Sequence, residues 1–183
     1  MTDTLTGMRI AILATDGVER VEYDQPRQAL VAADATVELV SPNPDTVQSQ
    51  HSDLNPAGEV EVDRALDMAL AEDYDALVLP GGTVNPDRLR IDTDAMNFVR
   101  AMVAAGKPVA AICHGPWSLV ETGVIAGRRL TSWPSLRTDI ERAGGHWIDD
   151  EVVVDGPLVT SRRPDDLPAF CAAMVEHFAA HSG

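Results

Sequence analysis

The sequence predicts a three-layer α/β/α sandwich, built as one domain over residues 1–183 around a mostly parallel sheet. Three observations lead there. Short runs such as "MRIAILA" (8–14), "DALVLPGG" (75–82) and "PVAAIC" (108–113) are nearly all apolar, as strands buried on both faces are. Segments of helical periodicity lie between those runs. The chain has no internal repeat, linker or low-complexity tract, and 183 residues suffice for one core.

The elements follow in order. Residues 8–14 form a strand stopped at Thr15-Asp16-Gly17, and 18–33 a helix, with Asp34 opening the next turn. "TVELVSP" (36–42) is a strand ended by Pro42. Residues 43–58, rich in Pro, Asn, Asp, Ser and Gln, read as loop, and "EVEVD" (59–63) as a short strand. Residues 75–82 form a strand with a Pro-Gly-Gly stop. Met96, Val99, Met102 and Val103 give 92–105 its helical stripe, with Gly106 and Pro108 ending it. After the strand 108–113, residues 114–122 and 135–143 read as helices. "HWID", "EVVVD" and "LVTS" are three short strands, and 165–181 is a closing amphipathic helix.

Composition excludes several classes of function. The net charge is −15 and the pI near 4.5, so nucleic acid and acidic membrane surfaces are poor partners. No apolar run is long enough to span a bilayer, and the N-terminus lacks a signal-peptide pattern, so a cytoplasmic location is expected. Two cysteines, Cys113 and Cys171, make neither a disulfide framework nor a zinc cluster. The five histidines have no metal-motif spacing, and neither metal nor cofactor is expected. Lys107 is the one lysine. An acidic, lysine-poor surface fits a salty cytoplasm, where screening shortens to roughly 3 Å at 1 M, and equally a GC-rich coding bias.

In doubly wound sheets the working residues sit in turns beyond the C-terminal strand ends, here 14–20, 80–88 and 112–118. In "AAICHGPWS" (110–118), Cys113 follows a strand and precedes a helix, with Ala111 and Gly115 two positions to either side. Small residues there permit a nucleophile elbow, and a helix N-terminus near the sulfur favours the thiolate. The competing reading is a buried structural cysteine. His114 follows directly; adjacent side chains diverge, so it reaches the sulfur only if the strained turn rotates it back. Its N–H is placed as an oxyanion donor. The Gly81-Gly82 pair exposes backbone N–H groups, or is a plain tight turn. Glu19 and Glu22, in "TDGVERVE" (15–22), place carboxyl groups beyond the first strand, or are solvated helix-start charges.

Taken together, "LVLPGG", "AICHGP", the early Val-Glu pair and "EVVVDG…LVTSRRPDDLPAF" resemble the PfpI family. The resemblance runs from about Arg9 to the last helix. It implies the class I glutamine-amidotransferase-like superfamily and a flavodoxin-like architecture. It makes Cys113 the nucleophile, His114 its acid or base, and Glu19 a protonated carboxyl beside the sulfur. Gly82 and His114 become the oxyanion donors. Asp87, where many members have Glu, reaches the histidine from a neighbouring subunit, which implies a homodimer or higher homo-oligomer. Trp117 stands where Gln is frequent, and Trp133 borders the site.

The activities that the resemblance implies share one cysteine. The chain has few insertions, so a small pocket is expected rather than a long peptide cleft, which ranks chemistry on reactive carbonyls, of glyoxalase III or deglycase type, above the alternative of an intracellular cysteine peptidase. A redox-sensing or chaperone stress protein is the non-enzymatic alternative. Glutaminase activity is disfavoured, because none of the late histidines is followed by a glutamate at His-x-Glu spacing. Cys171 reads as packing, and Arg162 and Arg163 as ion-pairing residues.

Overall fold

Residues 10–13 alternate between two apolar layers, and the architecture follows from that alternation. The computed structural model describes residues 4–181. The first half of the chain runs β1 (Arg9–Leu13), β2 (Val18–Glu19), α1 (Arg20–Ala32), β3 (Thr36–Ser41), β4 (Thr46–His51), β5 (Asn55–Glu61), β6 (Arg64–Ala65) and β7 (Ala76–Leu79). It continues through α2 (Val84–Leu89), α3 (Thr93–Ala104), β8 (Val109–Ile112), α4 (Pro116–Thr122), β9 (Arg129–Leu130) and α5 (Arg137–Arg142). The last third holds β10 (His146–Trp147), β11 (Val152–Asp155), β12 (Leu158–Ser161) and α6 (Leu167–Ala180).

The main sheet has seven strands in the order β11-β12-β8-β7-β1-β3-β6. Its pairings are parallel except β11 with β12 at one edge. Ile10 and Ile12 point into a layer with Leu30 of α1 and Phe170, Met174 and Phe178 of α6. Ala11 and Leu13 point into the opposite layer, with Met96, Val99 and Met102 of α3, Leu119 of α4 and Ile140 of α5. Burial on both faces is why these strands lack polar alternation. The sandwich and its parallel sheet are those read from the sequence.

One segment differs. Residues 43–58, read as loop, contain β4 and the start of β5, an antiparallel hairpin that joins β2 in a separate three-stranded sheet. Its strands are polar because most of their side chains are half-buried or exposed. Only Val47 and Val60, paired across it, reach the core. The hydrophobic signal that marks a core strand is therefore absent from most of its length. α2 was likewise hidden inside a stretch read as a turn.

Candidate active site

Three turns converge above the C-terminal ends of β1, β7 and β8, and buried Asn85 ties two of them together. Its Oδ1 accepts from the Thr15 N–H at 2.8 Å, and its Nδ2 donates to the carbonyls of Pro80 (3.1 Å) and Gly81 (3.0 Å). The third turn is held by the Cys113 N–H donating to the Ser161 carbonyl at 3.1 Å, and by the Trp133 N–H donating to Cys113 O at 2.8 Å.

Cys113 sits at φ +61°, a left-handed conformation that a non-glycine residue adopts only under constraint. The elbow needs glycine beside it. A Cβ on Gly115 would lie 2.2 Å from the Leu79 carbonyl oxygen. One on Gly81 would meet Glu22 Oε2 at 2.5 Å and Cys113 Cβ at 2.8 Å. Gly82, at φ +79°, would drive a Cβ to 2.1 Å from Gly17 O. The strained turn also rotates His114 back onto its neighbour, so that Nδ1 lies 3.3 Å from the Cys113 sulfur.

Glu22, in the first turn of α1, has no exposed surface. Its Oε2 accepts from the Gly81 N–H at 2.8 Å, while Oε1 is buried without a conventional hydrogen-bond partner. Burial pushes its pKa up to about 8, so the carboxyl is largely protonated at neutral pH. Cys113 is pushed well above the usual thiol value, first by burial and then by the nearby Glu22 charge; the His114 N–H, facing the sulfur, opposes this. Burial lowers His114, which is therefore a neutral imidazole at pH 7. At rest the pair is thiol and imidazole, not the thiolate expected from a helix terminus. Desolvation of Cys113, a residue only 7% exposed, is the largest cause.

These groups open into a cavity of about 590 Å³. Its lining includes Glu19, Glu22, Gly82, Cys113 and His114, Trp133 and Arg163, and Ser52 and Asp53 from the hairpin tip with His51. Trp133 stacks on His114 with ring centroids 5.8 Å apart and planes at 22°.

The chain matches the DJ-1/PfpI family over residues 8–177. It belongs to that family. It is 40% identical over 169 residues to the deglycase PH1704 of Pyrococcus horikoshii, covering 92% of this chain and 98% of the relative. It is also 40% identical over 163 residues to a putative cysteine protease, YraA, of Bacillus subtilis, covering 88% and 93%. Among solved structures, a two-domain protein from Anabaena variabilis with DJ-1/ThiJ/PfpI-like and ferritin-like domains superposes with a TM-score of 0.86 at 32% identity. That match covers 92% of this chain and 47% of the other, so this chain spans about half the two-domain protein.

In this DJ-1/PfpI chain the carboxyl group beside the sulfur is Glu22, not Glu19. Glu19 is the N-cap residue of α1, and its oxygens accept from the N–H groups of Ser52 (3.1 Å) and Asp53 (3.3 Å), with His51 Nδ1 3.7 Å away. It lines the cavity but anchors the hairpin. Glu22, three residues on and inside the first turn of α1, is the one that meets Gly81 and the sulfur. Gly82 lines the cavity, and among the described residues its N–H has no acceptor.

Asp87 is exposed on α2 and is not part of this cavity. Trp117 packs edge-on against His114 at 5.2 Å, donates through Nε1 to Asp139 at 2.9 Å, and lies outside the cavity wall. Cys171 is half-buried against the core. Arg162 forms the expected ion pairs, donating to both Asp166 oxygens and to Asp149. Arg163 departs from expectation: it has no carboxylate partner among the described residues and lies over Trp133 instead. Asp53 was missed altogether. Its carboxylate accepts from the Thr83 N–H (2.6 Å) and hydroxyl (3.0 Å), a contact across 30 residues that no local pattern announces. Among the described residues no helix is long and apolar enough to cross a membrane.

Proposed function

We propose that the chain is a cofactor-independent enzyme acting on small reactive carbonyls, of glyoxalase or deglycase type, with Cys113 as nucleophile. The observation that carries this reading is the Cys113–His114–Glu22 cluster: a strained cysteine 3.3 Å from a neutral imidazole, beside a buried carboxyl that holds its proton to about pH 8. Relatives named deglycases support the same class.

With a 2-oxoaldehyde the steps balance without an outside oxidant. His114 takes the thiol proton as sulfur attacks the aldehyde carbon, and the new oxygen receives that proton, giving a hemithioacetal. Neutral again, His114 removes the hydrogen of that carbon as a proton and returns it to the neighbouring ketone carbon, while the hydroxyl proton of the hemithioacetal passes to the ketone oxygen. One carbon is oxidised to a thioester while the other is reduced to an alcohol. Water cleaves the thioester, releasing the 2-hydroxy acid and restoring the thiol. The N–H groups of Gly82 and His114 hold the oxygen that becomes negative, and protonated Glu22 donates beside it. The cavity exceeds the needs of a three-carbon aldehyde, which leaves room for carbonyl adducts borne on amines.

A peptidase reading is favoured by the relative named a putative cysteine protease. It uses the same sulfur, with His114 passing its proton to a leaving amine. In either reading, exposed Asp87 is a candidate to meet the site of a second copy, making the working unit a homodimer or larger.

The test is to incubate the purified protein and its Cys113→Ala variant with methylglyoxal and measure lactate. Lactate from the unmodified protein alone is the expected result. No lactate from either, with peptide cleavage by the unmodified protein, would overturn the carbonyl reading in favour of the peptidase.

A further inference from the structure

The cavity wall carries a cation that the proposed chemistry does not use. The guanidinium of Arg163 lies 5.7 Å from the Trp133 ring centroid, and Trp133 stacks on His114, so a continuous column runs from the cation to the cysteine. The protein has 29 acidic residues against 14 basic ones, yet Arg163 has no carboxylate partner among the described residues. Its neighbour Arg162 takes Asp149 and Asp166 for itself. The Arg163 Nε is buried and lacks a hydrogen-bond acceptor. That donor is sealed from solvent, so it is the remaining guanidinium N–H groups of Arg163, which lines the cavity and has no carboxylate partner among the described residues, that a ligand carboxylate can reach.

The other charged groups of the cavity are segregated from it in their bonding. Glu19 is engaged by the Ser52 and Asp53 N–H groups, and Asp53 by Thr83. Glu22 keeps its proton at neutral pH. Asp165 and His51, with the reactive Cys113 and His114, complete the titratable lining.

We propose that Arg163 is a specificity-determining residue that binds a carboxylate on the substrate, so that the site prefers carbonyl compounds carrying an anionic group. The guanidinium offers a planar fork matched to two carboxylate oxygens, and Trp133 fixes its plane. The assignment deepens the carbonyl reading and rests on it for the substrate's chemical class.

The test needs no turnover, so its outcome is separate from that of the carbonyl reading. Cys113 is alkylated with iodoacetate and with iodoacetamide, which have similar size but differ in charge, and the labelled peptide is quantified by mass spectrometry. The ratio of anionic to neutral rates should fall about fivefold or more in Arg163→Gln, the iodoacetamide rate of each variant correcting for any change in the thiol itself. Arg163→Lys should lie between the two, and molar KCl should compress the differences. An equal ratio in the unmodified protein and Arg163→Gln, or a Lys variant as low as Gln, would overturn the proposal.

Discussion

Nδ1 of His114 lies 3.3 Å from the sulfur of Cys113, the residue just before it in the chain. Consecutive side chains in extended or helical backbone diverge. Here φ +61° at Cys113 folds the pair together, so the elbow builds the nucleophile–base contact as well as exposing the sulfur.

Burial sets the pH at which that sulfur reacts. Because Cys113 is pushed above the usual thiol value, its alkylation rate should still be rising between pH 8 and 9. Glu22→Gln removes the negative charge that forms near pH 8 and should shift the profile to lower pH. Iodoacetamide kinetics against pH check this; a shift to higher pH would show that the Glu22 proton, not its charge, dominates.

Glu22 also ties stability to pH. Its folded pKa of about 8 lies above the ordinary 4.5, so the native state holds a proton that the unfolded chain releases. The stability this confers is full below about pH 4.5 and is lost as pH rises through about 8, at up to about 1.4 kcal/mol per unit. Urea midpoints at pH 5.5 and 8.5 should therefore fall more steeply for the unmodified protein than for Glu22→Gln. Parallel slopes would mean that Glu22 is ionised in the fold.

Gly82→Ala should be severely destabilising. The added Cβ meets a backbone oxygen at 2.1 Å in a left-handed conformation, and neither partner can rotate away. A loss of more than about 2 kcal/mol is expected, lowering the thermal midpoint by at least about 5 °C. Gly58→Ala is the control, since φ +87° there meets nothing within 4 Å and costs backbone strain alone. Thermal melts of the two variants should separate clearly.

Asp87→Asn should leave the thermal midpoint within about 1 °C, because the side chain is exposed. If Asp87 orients His114 across a homodimer interface, kcat should drop at least about tenfold while sedimentation shows the same assembly. Unchanged kcat would remove Asp87 from the chemistry.

The legible parts of the site were the local ones. A strand of small apolar residues ending in Cys-His-Gly, and a second ending in Pro-Gly-Gly, announce their turns through residue size alone. The choice between Glu19 and Glu22 depended on where α1 begins: starting at Arg20, it carries Glu22 to the sulfur and leaves Glu19 as its cap, buried against the hairpin tip. Helix starts are poorly marked when, as here, the cap makes no side-chain hydrogen bond. The ionisation of Cys113 was not readable either, since it is set by desolvation from residues distant in sequence.

The hairpin of β4 and β5 stands apart from the main sheet, yet its tip supplies His51, Ser52 and Asp53 to the cavity. Ser52 and Asp53 both adopt left-handed φ values, +53° and +62°, and grip Glu19 and Thr83. The reactive centre and one rim of its chamber thus come from separate sheets. Exchanging the three tip residues would alter which molecules are admitted while the elbow keeps its shape. Evolution, or an engineer, has here a replaceable jaw on a fixed engine.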